Sequence, residues 1–218
     1  MLIFKLSKKN LNKTKKLIIK AITEGKVIVC PTDTVYGLIC NAKNSSAVRK
    51  IFKIKKRGFQ KPISVFVKDF KMAKNFARID EGQEEFLKKS WPGKLIAILK
   101  AKGKFPKGIV CEFGKIGIRI PEYKLLQEIL KELKKPLAQT SANLAGKPTS
   151  ATVEEILKQF KNKKPSTRAK HGAGPVPHRN KVSGAGYQPD LAIDAGKLSG
   201  KPSRVIDLTE VLPKTLRK

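Results

Sequence analysis

Short apolar, β-branched runs alternate with segments of helical period along most of this chain, and few folds accept that alternation. Lys26-Val27-Ile28-Val29-Cys30, Ile63-Ser64-Val65-Phe66-Val67, Leu95-Ile96-Ala97-Ile98-Leu99 and Ile116-Gly117-Ile118-Arg119-Ile120 have the length and branching of buried strands. Further short strands are predicted at 191–194 and 204–208, and Pro136-Leu137-Ala138-Gln139 leads into a strand end. Between them lie helical patterns over 10–24, 46–56, 82–90, 122–134 and 152–160. Gly25 suits the end of the first helix, and Thr152 suits the N-cap of the last, with Glu155 as its capping-box partner. Strands alternating with helices predict an α/β fold. Some strands lie close enough in sequence for antiparallel pairing, so the expected sheet is mixed.

One stretch departs from this pattern. Residues 166–188 are rich in Gly and basic residues, have little apolar periodicity, and hold both histidines, His171 and His178. Removing them would join Lys164-Pro165 to Pro189-Asp190, a plausible short connection. The expectation is therefore one domain over 1–218 with a flexible insertion at 166–188. The chain's 218 residues suit that size.

No apolar run reaches the length of a membrane span, and the start has no signal-peptide pattern, so the expected location is cytoplasmic. Cys30, Cys40 and Cys111 form no C-x-x-C pair, which argues against a disulfide framework or a zinc site. The net charge of +31 favours contact with polyanions. Only eight of the 48 basic residues are Arg, however, and dispersed Lys also suits solvated helix faces.

Five segments could carry chemistry. Pro31-Thr32-Asp33-Thr34-Val35-Tyr36-Gly37-Leu38 follows a strand directly, where α/β sheets bind ligands, although the same residues make ordinary turns. Lys55-Lys56-Arg57-Gly58-Phe59-Gln60-Lys61-Pro62 places cations at a helix end, as a phosphate clamp or as partners of the helix dipole. Arg119 interrupts an apolar strand and needs an anionic partner, either a structural ion pair or a ligand carboxylate. Thr140-Ser141-Ala142-Asn143-Leu144-Ala145-Gly146 follows another strand, on the expected edge of the first segment, and suits close approach to phosphate or a capped turn. Near the end, Ser203 opens a strand and Arg217 could close over an anion or belong to a basic tail. Neither a P-loop nor a G-x-G-x-x-G pattern is present.

In this order the segments PTDTVYGL, KKRGFQKPISV, WPGKLIAIL, GIRIP, TSANLAGKPTSAT and PSRVIDL with PKTLR resemble the YrdC-like family across nearly the whole chain except 166–188. The K-x-R and S-x-N pairs, here Lys55, Arg57, Ser141 and Asn143, are that family's hallmark. The resemblance implies a twisted α/β domain with a positively charged concave cleft. It implies synthesis of threonylcarbamoyl-AMP from L-threonine, bicarbonate and ATP, with Mg2+ accompanying the nucleotide and no metal held by protein side chains. Lys55 and Arg57 would be catalytic. Thr34, Arg119 and Ser203 would hold threonine, and Lys55, Arg57, Lys61, Ser141, Asn143 and Arg217 the nucleotide. Implied partners are the proteins that transfer the threonylcarbamoyl group to tRNA, with weak binding of tRNA or double-stranded RNA. The alternative is a non-catalytic module of the same fold that binds double-stranded RNA or ribosomal precursors. Gly58, Lys61 and Arg204 depart from residues common at those places in the family.

Overall fold

The structure is a computed structural model that describes residues 1–161, 187–210 and 213–217. In chain order its elements are β1 (Leu2–Lys5), α1 (Leu11–Thr23), β2 (Ile28–Cys30), β3 (Gly37–Asn41), α2 (Ser45–Lys55), β4 (Ser64–Phe66), α3 (Phe70–Phe76) and α4 (Glu81–Lys88). They continue with β5 (Leu95–Lys100), β6 (Lys115–Arg119), α5 (Lys124–Leu133), β7 (Leu137–Ser141), α6 (Val153–Phe160), β8 (Leu191–Asp194), β9 (Arg204–Asp207) and β10 (Lys214–Arg217). A short 3₁₀ turn, Lys8–Asn10, leads into α1.

Among the described residues all strands join one ten-stranded sheet in the order β1-β8-β2-β3-β7-β4-β6-β5-β9-β10. It is mixed, as expected. The pairs β1/β8, β2/β8, β4/β6 and β5/β9 are parallel, whereas β2/β3, β3/β7, β4/β7, β5/β6 and β9/β10 are antiparallel.

Alternation along each strand sends side chains to opposite faces and creates two cores. Val29, Leu38, Val65, Ala97, Ile118 and Ala138 meet buried residues of α2, α3, α4 and α6 on one face. Ile28, Cys30, Ile39, Phe66, Leu137 and Ile193 meet α1 and α5 on the other. In α5 the buried residues Leu125, Leu126, Ile129 and Leu130 recur at helical spacing, and in α1 Ile18, Ala21 and Ile22 do the same. Gly25 follows α1 at φ +75°, the left-handed conformation that glycine supplies cheaply at a helix end.

Periodicity leaves four elements unmarked. β1 and β10 are exposed edge strands without an alternating apolar pattern, α3 has only seven residues, and β3 begins inside the segment read as a turn. The predicted strand over 26–30 and helix over 122–134 are shorter, at Ile28–Cys30 and Lys124–Leu133. Thr152 does cap α6, with its Oγ1 accepting from Glu155 N at 3.3 Å. The Glu155 carboxylate accepts from Ala151 N at 3.0 Å, one residue before the expected capping-box partner. Cys30 and Cys40 are buried free thiols, and burial pushes the Cys30 thiol up to about 12. Of the insertion at 166–188, all but Tyr187 and Gln188 lies outside the described residues.

Candidate active site

The helices α1 and α5 cover only part of their face of the sheet. Beyond Phe66 and Leu137, the same face of β7, β4, β6, β5 and β9 is the floor of a cavity of about 270 Å³. Ser64, Gln139, Gly117, Ile96, Ile98 and Val205 line the floor. Its rim comes from the loops after β2 and α2, the end of β7, and the segment before β9.

Arg119 ends β6 at 1% exposure, inside this wall. Nε donates to Gly93 O at 2.7 Å, NH1 to Ser203 Oγ at 2.5 Å and more loosely to Thr34 Oγ1 at 3.4 Å, and NH2 to Asp33 Oδ2 at 2.5 Å. The structural ion pair that sequence logic allows therefore exists, with Asp33. The same guanidinium also sits against two hydroxyls that line the cavity, those of Thr34 and Ser203. Burial pulls Arg119 below its ordinary range while Asp33 pushes it back, and arginine stays charged throughout. Asp33 Oδ2 also accepts from Glu122 N at 3.2 Å, and buried Oδ1 has no hydrogen-bond partner among the described residues.

Local sequence explains the loop. Thr32 Oγ1 accepts from Thr34 N at 3.0 Å and donates to Val35 O at 2.7 Å, so a threonine turn aims the Thr34 hydroxyl at Thr32 and Arg119. Gly200 packs directly on this turn. A Cβ there would lie 1.9 Å from Thr34 O, so only glycine lets the segment before β9 close the wall.

Arg57 of the K-x-R pair and Ser141 of the S-x-N pair occupy the opposite rim, where Gly37 of β3 pairs with Ser141 of β7. Arg57 lines the cavity with Nε on Lys61 O at 2.7 Å and NH2 on Pro62 O at 3.1 Å, leaving its remaining N–H groups for a ligand. Ser141 lines it too, and its Oγ bonds Asn143 Oδ1 at 2.7 Å.

Lys55 is turned inward at 2% exposure and does not line the cavity. Its ammonium donates to Ser141 O at 2.6 Å, Asn143 O at 2.8 Å and Asn143 Oδ1 at 3.1 Å. Burial, then the nearby Arg57 charge, lowers its pKa to about 7. Through these contacts Lys55 clamps the loop after β7 and acts through Ser141 and Asn143. Lys61 contributes its carbonyl to Arg57, and its exposed side chain does not line the cavity. Arg217, on β10, does line it, with Nε on Ser203 O at 2.8 Å.

The chain is similar to known proteins. The Sua5/YciO/YrdC family model, described as "Telomere recombination", matches residues 20–167. The chain belongs to this family. A Methanocaldococcus jannaschii relative named "Putative threonylcarbamoyl-AMP synthase" is 38% identical over 161 residues, covering 74% of this chain and 75% of the relative. The threonylcarbamoyl-AMP synthase of Pyrococcus abyssi is 30% identical over 198 residues, 90% of this chain and 51% of that protein. Among solved structures of the Sua5/YciO/YrdC type, Pyrococcus abyssi Sua5 complexed with L-threonine superposes with a TM-score of 0.82 at 27% identity, over 100% of this chain and 57% of that one. Escherichia coli YciO gives 0.78 at 25% identity, over 100% of this chain and 94% of that one.

Sequence reasoning missed the floor of this cavity. Ser64 and Gln139 are polar residues inside strands, the same signal that marks Arg119, but which face each takes depends on the strand register.

Proposed function

We infer that this chain joins L-threonine, bicarbonate and ATP into threonylcarbamoyl-AMP, releasing pyrophosphate. The observation that carries the reading is one cavity with a carboxylate-type site at one end and a phosphate-type site at the other. Arg119 with the Thr34 and Ser203 hydroxyls forms the first, and Arg57 with Ser141 forms the second. The relatives' names point to the same activity.

The chemistry needs no nucleophile from the protein. Threonine's ammonium loses a proton and its nitrogen adds to bicarbonate with loss of water, giving the carbamate. A carbamate oxygen then attacks the α-phosphorus of ATP, and the bond to the β-phosphate bridging oxygen breaks, its electron pair leaving with pyrophosphate. Positioning and charge stabilisation do most of the work in such transfers. Arg119 orients threonine through its carboxylate, Arg57 offsets charge on the phosphates, and the clamp by Lys55 holds Ser141 and Asn143 in place. Among the described residues no three His, Cys, Asp or Glu side chains cluster to hold a metal. A magnesium ion would enter with the triphosphate, whose oxygens are the ligands it prefers. The product would pass to the proteins that transfer the threonylcarbamoyl group to tRNA.

The test is pyrophosphate release with each substrate omitted in turn. The expected result is dependence on threonine, bicarbonate and ATP together. Release that is the same without threonine overturns the assignment and favours the non-catalytic RNA-binding module that the net charge of +31 would also suit.

A further inference from the structure

Resting on this activity, we propose that Ser64 and Gln139 form the subsite for the carbamate made from bicarbonate, midway between the threonine and phosphate ends of the cavity. Strand register places them there. Ser64 and Gln139 are direct partners across β4 and β7. Phe66, two residues along β4 from Ser64, pairs with Arg119, and Ser141 lies two residues along β7 from Gln139. The pair thus sits one strand repeat, about 6–7 Å, from the Arg119 row and the same from the Ser141 row. A threonine carboxylate at Arg119 and an α-phosphate at Ser141 put the new C–N and O–P bonds over this pair.

Its chemistry suits that group. Gln139 Nε2 donates to Ser64 Oγ in a short hydrogen bond. The Ser64 hydroxyl proton and Gln139 Oε1 make no other hydrogen bond among the described residues, although Gln139 is 8% exposed and both residues line the cavity. One donor and one acceptor side by side match the carbamate's oxygen and its N–H. Both groups are neutral, so the carbamate oxygen is held without the ion pair that would blunt its nucleophilicity.

The surroundings leave room for it. Gly117 adjoins the pair on β6, where an added Cβ would lie 3.2 Å from Ser64 Cβ and 3.2 Å from Ile98 Cδ1. The bare backbone there keeps the floor low enough for a ligand. Ile96, Ile98 and Val205 complete an apolar floor beside the polar pair, which strengthens hydrogen bonds made above it.

Ser64→Ala, Gln139→Leu and Gln139→Glu test the subsite. Three measurements are needed: the bicarbonate KM for pyrophosphate release, threonine and ATP affinities by calorimetry without bicarbonate, and the thermal midpoint. The expected result is a bicarbonate KM raised about 10-fold or more, the scale of a buried hydrogen bond to a charged group. Gln139→Glu should be worst because its charge repels the carbamate. Threonine and ATP affinities should stay within about twofold, which a general loosening of the site would not allow. Folded variants with unchanged bicarbonate KM overturn the subsite while the activity stands, as do variants that lose threonine or ATP affinity as strongly as bicarbonate response. A wild-type chain with no threonine-dependent pyrophosphate release overturns the activity and the subsite together.

Discussion

Two buried cations set the chemistry at the scale of single residues, and they are held in opposite ways. Arg119 faces a carboxylate and two hydroxyls, with donors spread over Gly93, Asp33, Thr34 and Ser203. A lysine keeps the charge but cannot point at those groups together. Arg119→Lys should raise the threonine KM about 10- to 100-fold, the worth of one charged hydrogen bond, and move the ATP KM much less. Equal effects on both substrates would make Arg119 only the ion-pair partner of Asp33. Lys55 faces carbonyl oxygens and no carboxylate, so burial lowers its pKa to about 7. Between about pH 7 and the ordinary lysine value of 10.5, the unfolded chain holds a proton there that the folded chain has released. Stability therefore rises with pH across that window, and below pH 7 the full cost of burying the charge remains. Urea midpoints at pH 6, 7.5 and 9 should show this Lys55 increment in the wild type and not in Lys55→Met. Identical pH slopes would show that Lys55 keeps its proton in the fold.

At the scale of elements, the sheet works as core under α1 and α5 and as cavity floor beyond them. Short β-branched runs made the central strands legible, and the order of motifs pointed to Thr34, Arg57, Arg119, Ser141 and Ser203, all of which line the cavity. Lys55 and Asn143 were legible as site residues but not as a clamp and its loop, because that depends on which way a buried ammonium turns. Gly117 separates the two uses of the sheet. Gly117→Val would add methyl groups above a Cβ already 3.2 Å from Ile98 and Ser64. We expect a folded protein, destabilised by about 1–3 kcal/mol from overpacking, that has lost most threonine-dependent pyrophosphate release. Ile129→Ala, in the α5 core, should instead cost about 2–5 kcal/mol of stability and leave substrate KM values unchanged at temperatures where it stays folded. Denaturation midpoints and steady-state kinetics on both variants separate the two uses. A fully active Gly117→Val would remove the floor from the site.

At the scale of the whole molecule, a net charge of +31 belongs to a chain whose cavity is lined by no lysine among the described residues. Most of that charge is free to meet polyanions outside it. Dispersed lysines act as point charges without base readout, so binding to tRNA should be weak, tolerant of sequence and strongly salt-dependent. Fluorescence anisotropy with unrelated tRNAs should show similar affinities, falling roughly 10- to 100-fold between about 50 and 200 mM salt. Tight binding to one tRNA that survives the higher salt would instead mark a dedicated RNA-recognition surface.

The sequence by itself determined the α/β class, the strand and helix alternation, the family, and the residue types at both ends of the cavity. Those are local properties, carried by periodicity and by motifs a few residues long. Only the tertiary structure decided that Arg119 is shared between Asp33 and the cavity, that Lys55 turns away from it, and that Ser64, Gly117 and Gln139 share one floor. The reason is geometric. Ser64, Gly117 and Gln139 come from β4, β6 and β7, with α3, α4, β5 and α5 intervening in the chain, and they meet only because strand order and register put alternate side chains on the same face.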